Sequence, residues 1–173
     1  MRRCGLLALV AVSTVALLGC GGGVTNGGPV GGTFDSTAWE GTWAGQWTNT
    51  TFSSVGPATI VIAQGPTVGT ADVTFDMDGA VFGQADPPAI SMTVNYDNTG
   101  INAQVNGTQL GDLAFTITAN DSVQGSFTNV PGGGIARVDF TGQRNGNTIT
   151  INYTVTFAGG GGTARGNLVV TKQ

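Results

Sequence analysis

The dipeptide Asn145-Gly146 lies between two segments in which apolar and polar residues alternate, and this arrangement constrains the fold more than any other feature of the sequence. Asn-Gly is favoured in the two-residue turns that join antiparallel strands. Folding the chain there sets Phe140 opposite Ile151 and places the apolar side chains of both segments on one face. This part of the chain is therefore predicted to be a β-hairpin with one face in a core.

The same alternation recurs beside other turn signals and predicts an all-β domain of about ten short antiparallel strands. The segments Asp78-Gly79, 97–100 and 120–122 are typical hairpin connections. A further turn at Asn106-Gly107 requires a β-bulge near Gly111, because one extra residue is needed to keep the following apolar residues on the inner face. The predicted strands are 41–50, 58–64, 70–77, 80–84, 90–96, 101–106, 110–118, 123–129, 135–143 and 148–157, with a closing strand at 164–171.

These turns also predict cross-strand partners. Successive hairpins form a meander that either closes into an up-and-down barrel or folds into a β-sandwich, and the barrel is the leading architecture. The pairs expected from the turns are Tyr96 with Ile101, Met92 with Val105, Phe75 with Phe82 and Phe115 with Phe127.

Composition limits the chemistry that the chain can perform. The 173 residues include no histidine, and only 9% are charged. A Ser-His-Asp triad and imidazole metal ligands are therefore excluded. After the two arginines near the N-terminus, four basic residues face ten acidic ones with no basic run, so nucleic-acid binding is not expected. No cofactor is expected either.

The N-terminus carries a specific signal. Arg2 and Arg3 precede an uncharged segment, 5–18, that is shorter than the ~20 residues needed to span a bilayer. The segment leads into Leu17-Leu18-Gly19-Cys20, which resembles the lipobox of bacterial lipoproteins. The resemblance implies that residues 1–19 are a cleaved signal peptide and that Cys20 is diacylated. An ordinary signal peptide cut at a small residue is the alternative.

The lipobox reading sets the expected organisation. Residues 20–38 are a lipidated cysteine followed by a glycine-rich tether, and residues 39–173 are the β-barrel domain. Gly21 is not the aspartate linked in lipoproteins to inner-membrane retention, so the resemblance implies the outer membrane or cell surface of a bacterial envelope. Cys4 and Cys20 are the only cysteines, so none remains for a disulfide or a metal.

Three tryptophans lie four residues apart, in or just before the first predicted strand. Trp39, Trp43 and Trp47 should face one side, with Trp39 beside the tether and more exposed than Trp43. Gly41-Thr42-Trp43 resembles the Gly-x-Trp signature of the calycins, the lipocalin and avidin-like barrels. The resemblance implies that Trp43 closes one barrel end beneath a basic residue, Arg165 or Lys172. Lipocalins also carry a C-terminal helix, which this sequence lacks.

The calycin resemblance implies a cup-shaped cavity, and hence three hypotheses about function. The first is a carrier for a small apolar ligand, the second an envelope structural or adhesin-like interaction module without a pocket, and the third a hydrolase. The hydrolase is disfavoured because no activated nucleophile or paired acid and base can be named. The residues expected to line the lumen are Trp43, Trp47, Phe75, Met92, Phe140, Ile151 and Tyr153.

The carboxylates offer little support for metal or acid–base chemistry. Asp76-Met77-Asp78-Gly79 resembles part of an EF-hand loop, but Thr74 and Ala85 stand where that loop needs acidic ligands. The same residues are explained by a hairpin turn. No metal site and no catalytic residue is therefore expected.

Overall fold

The computed structural model describes residues 32–173, so the expected leader and the lipidation site at Cys20 lie outside the described residues. Within this range no helix is long and apolar enough to cross a membrane. Two 3₁₀ turns are present, at Ser36–Ala38 and Ala158–Gly160. The strands are β1 (Gly41–Asn49), β2 (Ser54–Gln64), β3 (Thr70–Met77), β4 (Ala80–Val81), β5 (Gln84–Ala85), β6 (Ile90–Asp97), β7 (Gly100–Thr108), β8 (Gly111–Thr118), β9 (Ser122–Thr128), β10 (Ile135–Asn145), β11 (Thr148–Phe157) and β12 (Thr163–Lys172).

Ten of these strands form a closed antiparallel barrel in the order β1-β12-β11-β10-β9-β8-β7-β6-β3-β2. Apart from β3 and β6, neighbouring strands follow one another along the chain, and β12 returns to pair with β1. The predicted all-β up-and-down barrel is confirmed, and the β-sandwich alternative is wrong because the β1–β12 ladder closes the sheet.

The β10–β11 hairpin has the predicted faces with a different register. Phe140 pairs with Tyr153, not with Ile151, and Asn145 pairs with Thr148. The two loop residues are thus Gly146 and Asn147. Gly146 has φ +57°, whereas Asn147 is not among the described residues with positive φ, and this pattern is typical of a type II′ turn rather than type I′. Moving the turn by one residue moves every partner by two, so the apolar face is retained.

The β8–β9 hairpin shows the same shift. Phe115 pairs with Gly125, not with Phe127, because the loop is centred on Asn120 and ends with Asp121 in the left-handed region at φ +62°. An irregularity between β7 and β8 is present, but it lies between Val105 and Thr108 and not near Gly111. The predicted turn at Asn106-Gly107 is wrong, because β7 continues through these residues and turns after Thr108, which pairs with Gly111.

The segment 78–89 departs most from the prediction. Phe75 pairs with Ile90 of β6, so β3 has no hairpin partner in 80–84. Residues 78–89 instead leave the barrel wall and form the small β4–β5 hairpin, in which Ala80 pairs with Ala85. This segment is called the flap below. Gly79 has φ +93° and directs the chain away from the line of β3.

The β6–β7 ladder is short. These strands pair at Tyr96–Ile101, as predicted, and at Asp97–Gly100, and no further pair joins them in the described barrel. The predicted partnership of Met92 with Val105 is therefore wrong. β6 remains bound to β3 from Thr70 to Phe75, so the wall is continuous on one side of β6 and unpaired along most of the other.

Candidate ligand cavity

The barrel encloses a cavity of about 150 Å³ that is not fully sealed from the surface. The side chains around it are almost all apolar. Every barrel strand except β1 contributes to the lining, and β7 does so only through Ile101 near its start. The lining residues include Ile60, Val73, Phe75, Met77, Phe82, Met92, Leu113, Phe115, Phe127, Phe140, Ile151, Tyr153 and Leu168.

The hollow lies at mid-height in the barrel. On β3, Val73 and Phe75 are partly exposed between the buried inward residues Ala71 and Met77. The same sequence of buried, partly exposed and buried inward residues occurs on four other strands of the barrel. The partly exposed members there are Ile60 of β2, Met92 of β6, Phe115 of β8 and Ile151 of β11. Accessible surface inside two buried layers indicates unfilled space, because a packed core leaves no such surface.

One end of the barrel is closed by the residues that precede β1. Trp43 is 0% exposed, and its Nε1 donates a hydrogen bond of 2.8 Å to the Trp39 carbonyl oxygen. Phe34 packs against Tyr96 with ring centroids 6.1 Å apart. The packed domain therefore begins before residue 39, because Phe34 of the expected tether covers the barrel. Trp39 is 3% exposed, so the expectation of an exposed indole is wrong.

Two cations lie over the tryptophans at this end. Lys172 Nζ is 5.4 Å from the centroid of the Trp43 ring, as the calycin resemblance implied for a C-terminal basic residue. Arg165, the other candidate, pairs with Thr154 instead. The Arg144 guanidinium lies 5.2 Å from the Trp39 centroid and forms a two-oxygen ion pair with Asp121. Such contacts hold the indoles over the barrel mouth.

The opposite end is closed by the flap. Phe82 packs edge-on against Tyr153, with centroids 6.1 Å apart and an interplanar angle of 84°. Trp47 Nε1 donates to the Asp78 carbonyl oxygen at 2.8 Å, and the indole lies against Gly56, its cross-strand partner. A Cβ at Gly56 would lie 2.6 Å from Trp47 Nε1, so a glycine is required there for the indole to fit.

The cavity carries almost no polarity. Ser36, Tyr96 and Tyr153 are its hydroxyl-bearing lining residues, and no carboxylate or basic side chain contributes to the lining. Tyr153 Oη donates to the Thr48 carbonyl oxygen at 3.0 Å, and burial raises the Tyr153 pKa to about 12. The phenol therefore stays neutral at ordinary pH. Residues 32–173 hold no group of three metal-ligating side chains.

The structure brings together five of the seven residues predicted to line the lumen. Phe75, Met92, Phe140, Ile151 and Tyr153 surround the cavity. Trp43 and Trp47 do not: both are buried beside the barrel ends and hydrogen-bond to backbone carbonyls. Their inward parity was predicted correctly, but each indole closes an end rather than lining the hollow.

Sequence reasoning missed the residues that close the cavity. The sequence pattern places Phe34 in the tether and Phe82 in a wall strand. The available signal was an isolated aromatic in each turn-rich segment, since an apolar side chain among glycines and aspartates must find a buried site elsewhere. Once Phe34 is placed at this barrel end, Ser36 and Trp39 are placed there too, because they lie on the same short segment of the chain.

Comparison with known proteins supports the fold. No protein-family model matches the sequence, and no curated protein matches it. Among solved structures, Rv2717c from M. tuberculosis is similar with a TM-score of 0.57 and 12% sequence identity, over 79% of this chain and 94% of that one. A protein of unknown function of the DUF3598 family from Nostoc punctiforme has a TM-score of 0.57 and 10% identity, over 86% of this chain and 53% of that one. This chain thus spans about half the length of the Nostoc protein.

Proposed function

We propose that the barrel is an extracytoplasmic binding module whose mid-height cavity takes up a small, uncharged, apolar ligand. The observation that carries the proposal is a hollow of about 150 Å³ surrounded by apolar side chains, with partly exposed residues between two buried layers. An enclosed apolar cavity of about this volume is large enough to bind benzene. Drug-sized ligands need roughly 300 Å³ or more, so they exceed this space.

The chemistry of the lining sets the class of ligand. A charged group would lose its hydration without gaining a partner, because no ionised side chain faces the cavity. A neutral molecule of one ring or a short alkyl chain fills the space without that cost.

Benzene is the direct probe of this proposal. Binding to the folded state raises stability by about 2.7 kcal/mol at a benzene concentration 100 times Kd. We expect calorimetric binding together with a higher melting temperature. The cavity-filling variant Val73→Phe should lose both effects, while Val61→Phe on the exposed face of the adjacent strand should retain them. An unchanged melting temperature in saturating benzene would overturn the proposal.

We also propose that Cys20 anchors the domain to a bacterial envelope membrane, at the outer membrane or cell surface. The support is the leader with its lipobox, Leu17-Leu18-Gly19-Cys20. Cys20→Ser should accumulate as unprocessed precursor and lose palmitate labelling, whereas Cys4→Ser within the leader should be processed normally. Labelled and processed Cys20→Ser would refute the assignment.

One observation favours the alternative of a surface-interaction module. An uncharged polar row crosses seven adjacent strands on the outer face, with each member directly opposite the next. The row is Asn102, Thr116, Gln124, Thr141, Asn152, Asn167 and Thr48. The alternative predicts that Thr141→Lys with Asn152→Lys abolishes attachment of the protein to purified envelopes and that Val73→Phe does not. The cavity proposal predicts no change in attachment for either variant.

A further inference from the structure

The flap, residues 78–89, is an insertion between two strands that pair directly with each other. β3 and β6 are adjacent in the barrel from Thr70 to Phe75, so the wall does not need the flap for continuity. The flap nevertheless delivers Val81 and Phe82 to the interior, where Val81 is buried and Phe82 lines the cavity. Its packing role is therefore confined to one end of the cavity.

The wall beside the flap lacks a ladder on one side of β6. β6 pairs with β7 at Tyr96 and Asp97, and the remainder of β6 towards Ile90 has no ladder to β7 among the described strands. The inward residues along this gap are Ile90, Met92 and Val94 on β6 and Ala103 and Val105 on β7. Ile90 and Val94 are buried, and the other three are partly exposed. The two strands are paired at the turn 97–100, and the unpaired stretch of β6 runs from there back to Ile90, which follows the flap.

The flap contacts the far side of this gap. Gln84 Nε2 donates a hydrogen bond of 2.6 Å to the carbonyl oxygen of Gln109, which lies in the turn between β7 and β8. A contact from the β3–β6 connection to the β7–β8 turn spans both strands that border the gap. Gln84 is a side-chain latch, and its bond can break without disturbing a barrel ladder.

The backbone of the flap is held in an unfavourable conformation. Phe82 has φ +51°, in the left-handed region that bulky residues avoid, and Asp86 has φ +47° in the same region, which aspartate adopts more readily. Asp86 is held by reciprocal bonds to Gly79, since Asp86 N donates to the Gly79 carbonyl and Gly79 N donates to Asp86 Oδ1. Strained residues of this kind concentrate at clamps and gates, where surrounding contacts hold them in place.

We propose that the flap is the gate of the cavity and that Phe82 sets both the size of ligand admitted and the rate at which it exchanges. The inference rests on the proposed ligand-binding function. In the closed state the Phe82 ring fills the space beside Tyr153 and Phe127, at centroid distances of 6.1 and 6.2 Å. Lifting the flap removes that ring and joins the cavity to the gap between β6 and β7.

Removal of the ring should change selectivity. Phe82→Ala enlarges the cavity at the flap end, so the variant should bind naphthalene, which the wild-type hollow excludes, and should exchange benzene faster by on the order of tenfold. Phe82→Leu keeps an apolar plug of smaller size and should lie between the two, which covers the case in which the alanine variant folds poorly. The matched control is Phe52→Ala, whose ring is 63% exposed and lies outside the cavity.

Substitution of Gln84, the latch residue, tests the gate independently of Phe82. Gln84→Ala leaves the cavity lining intact, so benzene affinity should change little while its exchange rate rises. Gln64→Ala, at an exposed position at the end of β2, is the control. NMR exchange spectroscopy with the full chain measures these rates, and calorimetry measures the affinities.

The possible results separate the two proposals. Failure of wild-type protein and every variant to bind benzene overturns the proposed function and leaves the gate without a ligand. Benzene binding by wild type, with wild-type exchange and no naphthalene binding in Phe82→Ala and Phe82→Leu, overturns the gate alone. Faster exchange in both the Phe82 and Gln84 variants, with wild-type exchange in the two controls, supports it.

Discussion

Lys172 and Trp43 face each other directly on β12 and β1, and the lysine ammonium lies 5.4 Å from the centroid of the indole ring. Lys172 Nζ also donates a hydrogen bond of 3.4 Å to the carbonyl oxygen of Ala38, in the segment that crosses this barrel end. One side chain of the last strand therefore contacts both the first strand and the residues that cover it.

Substitution of Lys172 should weaken this end of the barrel. Lys172→Met keeps an apolar stem but removes the charge, and we expect a loss of ~0.5–1 kcal/mol in the free energy of unfolding. Lys172→Arg should restore most of it. Urea denaturation followed by tryptophan fluorescence measures the change. Arg165→Met is the control, and an equal loss there would contradict a specific Lys172–Trp43 contact.

The two buried indoles at this end should respond differently to removal of their N–H groups. Trp43 Nε1 donates to the Trp39 carbonyl, whereas Trp39 Nε1 is buried without a hydrogen-bond partner among residues 32–173. Trp43→Phe leaves a buried carbonyl unpaired, so we expect it to cost ~1–3 kcal/mol more than Trp39→Phe. Denaturant midpoints of the two variants test the difference, and equal midpoints would refute it.

The turn of the β10–β11 hairpin should be sensitive to backbone conformation alone. A Cβ at Gly146 meets no atom within 4 Å, but Gly146 has φ +57°. Gly146→Ala should therefore cost ~1–2 kcal/mol through the left-handed backbone. Gly134 also has open space around it and lacks a positive φ, so Gly134→Ala is the matched control and should change stability little. Similar melting temperatures for the two variants would contradict the assigned turn.

Asp97 should contribute to stability in a defined pH range. The pKa of Asp97 is lowered from its ordinary value of 3.8, chiefly by the Thr99 hydroxyl and then by the Thr99 backbone N–H, both of which donate to the carboxylate. Because the folded pKa is the lower one, the stabilisation is present above 3.8 and is lost as the pH falls through the folded pKa.

Thr99→Val should raise the Asp97 pKa towards 3.8, and the acid-side decline in stability should flatten. NMR titration of the Asp97 carboxyl carbon measures the shift. Thr93→Val removes the hydroxyl that donates to the Asp72 carboxylate, and it should leave the Asp97 titration unchanged. An unaltered Asp97 titration in Thr99→Val would show that the hydroxyl bond does not set the pKa.

Much of the fold follows from side-chain parity, and the exact partners do not. The pattern around Asn145-Gly146 predicts which face of each strand is apolar, and the barrel has those faces. It does not distinguish a loop centred on Asn145-Gly146 from one centred on Gly146-Asn147, because both satisfy the alternation. The same ambiguity at Asn120 moved Phe115 from Phe127 to Gly125. Shifts of two residues cost nothing in parity and are therefore invisible to it.

The cavity depends on information that local patterns lack. Five lining residues can be named from their inward positions. A cavity, however, arises only when ten strands close into a barrel whose interior their side chains do not fill. The local pattern around Val81 and Phe82 predicts a wall strand where the flap lies. Its true position depends on the pairing of Phe75 with Ile90, a contact across the whole insertion.

The ladder between β1 and β12 has a consequence for how the molecule is made. Trp43 pairs with Lys172 and Asn49 pairs with Gly166, so the closing contacts join the two most distant strands of the described chain. A chain released residue by residue cannot complete its barrel until β12 has emerged. Until then β1 and β11 each present an unpaired edge, and such edges are templates for pairing with other chains. An incomplete chain is therefore exposed to pairing with other chains until its last strand is in place.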